Sequence, residues 1–221
     1  MYTFEFYYLP GRFLGYSELS ELVKKMKTIA SYEGKHIESP AREYLKNKII
    51  VVANKAGKPV SYRMAEFVKI PYFGKILALY NSVSVPSISK NDIDYEVHSK
   101  IVSNLLFRFY TFQSIYVCCI NSNFYDIYRF ENEYMDVFPT IITGAENRGL
   151  YSRILDYLVE NRQEIIGITD SSEVNRTTYF INNGRLIQIG RINIIKHISN
   201  IYRNKDYNQR KQVFTPRKNA I

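Results

Sequence analysis

The chain has 221 residues, 46 % hydrophobic and 15 % aromatic, with thirty Lys and Arg against twenty-one Asp and Glu. That apolar content supports a packed domain and excludes a chain unfolded throughout, while the formal charge of +9 suits a polyanionic partner. The only cysteines, Cys118 and Cys119, are adjacent, and His36, His98 and His197 lie far apart, so neither a disulfide framework nor a metal site is expected.

The opening MYTFEFYYLPGR has neither the basic start nor the long apolar stretch of a secretory leader, and no run reaches the length of a membrane span. With its two thiols unpaired, the chain is expected in a reducing, cytoplasmic setting.

Residues 2–9, YTFEFYYL, are aromatic and β-prone and end at Pro10-Gly11, which predicts a first strand. Leu19, Leu22, Val23, Met26 and Ile29 recur at helical spacing behind Ser17, a plausible N-cap. A short helix is expected near PAREYLKN. In 48–70 two β-rich runs flank NKAGKP, the composition of a tight hairpin, and a third strand is expected over 75–85. Val97, Ile101, Val102, Leu105, Leu106 and Phe109 predict a helix over about 95–110, with Asp92 or Asp94 as its cap. SIYVCCI (114–120) is almost wholly apolar, as a strand buried on both faces would be. Residues 121–134 look helical, closed by Pro139. Beyond them come a helix with Leu150, Ile154, Leu155, Leu158 and Val159 on one face, then strands at EIIGIT (164–169) and RLIQIGRINII (185–195).

This order of elements, with three stretches at its centre, resembles the GCN5-related N-acetyltransferase (GNAT) family. ANKAGKPVSYRM is similar to the family's second and third strands, LYNSVSVP to its fourth strand, and INSNFYDIYRF to its Asn-x6-Tyr element, with Asn121 and Tyr128 at the matching spacing. The resemblance implies an α/β fold: a mixed, mainly antiparallel sheet flanked by helices, with a C-terminal extension. A single domain then spans 1–202, with 140–163 an inserted helical segment, followed by a tail over 203–221 that holds six basic residues and one acid. In a second register AENRGLYSRILDYL (145–158) takes the place of the family's cofactor loop and helix, but no three-strand meander stands immediately upstream of it.

The resemblance also implies chemistry, namely transfer of an acyl group from acetyl-CoA or another acyl-CoA to an amine. Val83 and Val85 of the fourth strand are then expected to offer main-chain groups to the donor, and residues 87–94, with Lys90 and Asp94, to face its pyrophosphate. The family's loop there is glycine-rich; PSISKNDIDYE has no glycine and puts two acids, Asp92 and Asp94, near the anion's expected place. Asn121 suits either a cofactor contact or a cap for the helix that follows. Tyr128 matches the tyrosine that protonates the leaving thiolate, against the alternative of an amphipathic packing tyrosine. Ser82 and Ser84 stand where family members often carry a catalytic glutamate, which leaves Glu66 as the nearest substitute base, against the alternative of an exposed strand glutamate. His98 is expected at the surface, and both cysteines in inert packing. The contrasting reading is an inactive GNAT-like scaffold that binds nucleic acid or a protein through its basic residues 190–221, where GRINIIKHISNIYRNK interleaves cations with Ile and Tyr.

Overall fold

The computed structural model describes residues 2–32, 40–80, 82–86, 90–109, 115–140, 149–182 and 184–200. Strand β1 (Tyr2–Tyr8) pairs antiparallel with β2 (Lys48–Lys55), from Tyr2 opposite Lys55 to Tyr8 opposite Ile49. Between them lie α1 (Pro10–Phe13), α2 (Tyr16–Ser31) and α3 (Arg42–Leu45). Helix α2 buries Leu19, Leu22, Met26 and Ile29, as their spacing requires. It starts two residues earlier than a Ser17 cap implies: Gly15 is the N-cap, and the Glu18 carboxylate accepts from the Gly15 N–H at 3.0 Å.

The predicted hairpin joins β2 to β3 (Lys58–Ile70). Ala56 and Gly57 both take positive φ, 51° and 77°, the backbone of a two-residue turn whose twist matches that of the strands. The strand expected over 75–85 is broken in two, as β4 (Gly74–Leu79) and β5 (Val83–Ser84), both antiparallel to β3. Helix α4 (Lys90–Phe109) begins earlier than expected, which puts Asp92 and Asp94 within the helix instead of at its cap.

Strand β6 (Tyr116–Asn121) is buried along its length from Val117, in keeping with its unbroken apolar run. The next helix, α5 (Phe124–Glu133), is capped by Asn123, whose side-chain oxygen accepts from the Asp126 N–H at 2.9 Å; Asn121 is not the cap. Its end turns into a strand, β7 (Tyr134–Phe138), where the pattern over 121–134, closed by Pro139, predicts helix.

The segment 164–169 is likewise not a strand. After α6 (Gly149–Asn161) come the short α7 (Gln163–Ile166) and Gly167, which ends α7 at φ 56°, a conformation cheap only for glycine. Two short strands, β8 (Val174–Asn175) and β9 (Phe180–Ile181), then lead to β10 (Leu186–Ile192). Strand β10 enters between β6 and β7, antiparallel to both, and residues 194–200 that follow it are helical.

All these strands form one mixed, mainly antiparallel sheet, ordered β1-β2-β3-β4-β6-β10 along its main path. It carries two apolar cores. One gathers Leu22, Ile29, Ile50, Leu77, Val97, Ile101 and Phe130 around α2, α4 and α5; the other gathers Ile76, Cys118, Ile154, Leu158, Ile187 and Ile189 beneath α6. Strand, helices, three-strand meander, helix, strand, helix and closing strand pair follow in the order that the resemblance implied, with α6 to β9 inserted between the last two long strands. The 145–158 register fails here, because α6 does not follow a meander.

Candidate active site

The distinctive feature of the sheet is a fork. Strands β4 and β6 run parallel and pair at Ile76–Tyr116, Leu77–Val117 and Ala78–Cys118, and no further. Beyond that point β6 continues through Cys119–Asn121 against β10, while the fourth strand continues as β5 against β3. A count of residues shows why the fourth strand leaves. The Tyr80 N–H bonds the Met64 carbonyl at 2.9 Å, and Val83 lies opposite Tyr62, so the register of the fourth strand against β3 shifts by one residue at Arg63. Such an extra residue bends the strand that carries it.

At β5 the Val85 N–H bonds the Val60 carbonyl at 2.9 Å. Alternation then turns the main-chain groups of Val83 and Val85 toward β3, and those of Ser84 toward the edge from which β6 has parted. Val83 and Val85, the residues expected to offer main-chain groups to a donor, thus turn those groups to β3. Asp94, on α4, brings its carboxylate to 3.5 Å from the Ser84 hydroxyl, which in turn lies 2.8 Å from that of Ser61. Residues 87–89 and the side chain of Lys90 lie outside the described residues.

Arg63 is nearly buried, and its guanidinium sits in the fork. Its Nε donates to the Tyr80 carbonyl at 2.8 Å, its terminal nitrogen lies 3.4 Å from His98 Nδ1, and its charge acts on the nearby Cys119 thiol. His98 is buried, contrary to its expected surface position, and its Nε2 meets the Tyr134 hydroxyl. Burial, reinforced by Arg63, holds the imidazole well below its usual value, so it is neutral at pH 7. Glu133 lies 3.8 Å from His98 Nε2 and 3.5 Å from Arg129 Nε. Sequence separation hid this cluster: residues 63, 98, 133 and 134 share no spacing pattern, and only the convergence of β3, α4 and the α5–β7 junction joins them.

Burial pushes the Glu133 carboxyl up to about 7, against the pull of Arg129, Arg63 and Lys196. A folded-state value above the unfolded value of about 4.5 means that unfolding releases a proton between those pH values. The stability this group contributes is complete below pH 4.5 and falls as pH rises to 7, by about 3 kcal/mol at 1.36 kcal/mol per unit. Urea denaturation across that window should show a slope that Glu133→Gln flattens.

Glu66 sits on the opposite face of β3 from Arg63, and it is neither exposed nor available as a base. One carboxylate oxygen is taken by Lys48 and the other by Arg162, with the Lys48 and Glu66 side chains only 4 % and 5 % exposed. The Lys48 ammonium also donates to the Tyr80 hydroxyl and lies between the Tyr44 and Tyr80 rings, 4.5 and 4.4 Å from their centroids. Burial lowers the Lys48 value despite its carboxylate partner. Glu66 thus ties β2 to β3 and both to the α6–α7 junction.

Asn121 donates to Gln188 on β10 at 2.6 Å and accepts from the Cys119 thiol at 3.1 Å. Both cysteines are buried, and burial raises both thiols, Cys119 to about 11, so neither is a ready nucleophile. Tyr128 is not a packing residue: it is 56 % exposed on α5, its ring stacked on that of Phe124. Among the described residues no group of His, Cys, Asp and Glu could hold a metal ion, and no helix is long and apolar enough to cross a membrane.

No protein-family model matches the chain, and no curated protein matches it in sequence. Several solved structures are similar over most of their own length. Escherichia coli ElaA is 12 % identical, over 67 % of this chain and 95 % of its own, with a TM-score of 0.42. A predicted acetyltransferase with acetyl-CoA from Clostridium acetobutylicum is 14 % identical, over 62 % and 92 %, with a TM-score of 0.41. An aminoglycoside acetyltransferase from an uncultured soil metagenomic sample, in complex with sisomicin, is 15 % identical, over 58 % and 82 %, with a TM-score of 0.38. The class that fold and fork define is an α/β protein with a mixed, mainly antiparallel sheet that parts between β4 and β6.

Proposed function

We propose that the chain is a GNAT-like N-acyltransferase, moving an acyl group from acetyl-CoA or another acyl-CoA thioester to an amine. The observation that carries this reading is the fork: two parallel strands in one sheet that pair for three residues and then part. A slender thioester arm laid between them would extend the sheet, hydrogen-bonding along the strands where they no longer pair with each other.

In the reaction the amine nitrogen attacks the thioester carbonyl. The C–N bond forms, the C–S bond breaks, and the thiolate takes a proton from an acid. Tyr128 keeps that role, as an exposed hydroxyl on the helix that follows β6. The amine's proton passes to solvent, since both oxygens of Glu66 are engaged by cations. Asp94, near Ser84, disfavours a second anion close by, so a donor pyrophosphate would be held away from its carboxylate.

Thermal melting with acetyl-CoA, a longer acyl-CoA and free CoA tests the reading. A donor at 100 times its Kd stabilises by about 2.7 kcal/mol and raises the midpoint accordingly. No shift with any of them, together with salt-sensitive binding of DNA or RNA, would favour the scaffold that acts through residues 190–221. For the acid role, Tyr128→Phe should lower kcat by about 100-fold, within the usual range for a lost general acid, and leave donor affinity unchanged. An unaltered kcat would remove Tyr128 from the mechanism.

A further inference from the structure

The guanidinium of Arg63 stands where β4 and β6 stop pairing. It bonds the Tyr80 carbonyl, two residues beyond Ala78 on one strand, and its charge acts on the nearby Cys119 thiol, one residue beyond Cys118 on the other. The same residue stands at the one-residue shift in register between β3 and the fourth strand. We propose that Arg63 is the prop of the fork, a positioning residue that fixes the bend of the fourth strand and holds its edge away from β6, and that His98 and Tyr134 set its orientation.

The bonding fits that role. At the bend the Tyr80 N–H keeps its partner on β3, while the Tyr80 carbonyl goes to Arg63 Nε, so the guanidinium completes the backbone pairing where the strand is irregular. An Arg nitrogen only donates, so His98 must accept at Nδ1 and carry its proton on Nε2, which then donates to the Tyr134 oxygen. That tautomer requires a neutral imidazole, which burial beside a cation maintains. The chain of contacts from β7 through α4 to β3 leaves the planar guanidinium little freedom, as a spacer between two strands requires.

The prop can be tested apart from the acyltransferase reading on which its use depends. Hydrogen exchange followed by mass spectrometry on the full chain should show peptides covering 117–121 exchanging at least threefold more slowly in Arg63→Met than in wild type, as the strands close. Peptides covering 19–30 in α2 serve as the reference and should not change. Arg63→Lys, with one donor group in place of the fork, should fall between the two. If Arg63→Met changes the reference peptides as well, the milder Tyr134→Phe decides, since loss of its hydroxyl should shift 117–121 in the same direction by a smaller factor. Unchanged exchange over 117–121 in both Arg63→Met and Tyr134→Phe overturns the prop. Titration with acetyl-CoA adds the functional arm: the prop requires at least tenfold weaker binding in Arg63→Met, and equal binding overturns it. If wild type binds no CoA, the acyltransferase reading fails while the exchange result still judges Arg63.

Discussion

Glu66→Ala is expected to destabilise the fold by about 3–5 kcal/mol, the largest single effect among the charged residues, because it strands a buried ammonium. Lys48, 4 % exposed at its side chain, would keep only the Tyr80 hydroxyl and two aromatic faces as partners, and Arg162 would lose its hold on β3. Urea denaturation followed by circular dichroism measures the loss. The double variant Lys48→Met/Glu66→Leu should recover much of it, since replacing both members of a buried pair by apolar groups removes the desolvation cost with the attraction. A loss below about 1 kcal/mol in Glu66→Ala would mean the pair is solvated like a surface bridge, and would reopen Glu66 as a base.

Gly11→Ala is expected to be nearly as costly, for a steric reason. A Cβ at Gly11 would stand 2.3 Å from the Arg42 carbonyl oxygen, 2.6 Å from the Lys46 nitrogen and 2.8 Å from the Leu45 carbonyl carbon. All three are backbone atoms of α3 and its cap, so no side chain can swing aside. The two segments are also strapped together: Arg42 donates to the carbonyls of Gly11 and Leu14, each at 2.9 Å. Overpacking of this kind costs about 1–3 kcal/mol and more where the backbone must move, so a loss of at least about 3 kcal/mol is expected in the same denaturation assay. A neutral result would show that α1 and α3 separate readily.

Much of the order of elements was legible in the sequence because it is written in local patterns. The apolar spacing of α2, the Ala56-Gly57 reversal and the unbroken run of β6 each reflect contacts within a few residues. From these alone came the α/β class, the meander and the resemblance that led to the fork. The errors have local causes too. Ile165, Ile166 and Ile168 are buried, as strand residues would be, but a three-residue apolar cluster does not distinguish a strand from a helical turn ended by Gly167.

Tertiary structure decided what the charged and polar residues do. Whether Glu66 meets solvent or two cations depends on where α6 lands, and whether His98 is a surface or buried group depends on the packing of α4 over β3. The bend of the fourth strand likewise appears only as a mismatch in register between Tyr80 and Val83 relative to β3, which no single strand encodes. The physical reason is range. Propensity and periodicity act over one turn or one pleat, while burial, pairing and protonation are set by neighbours that the chain brings together from far apart.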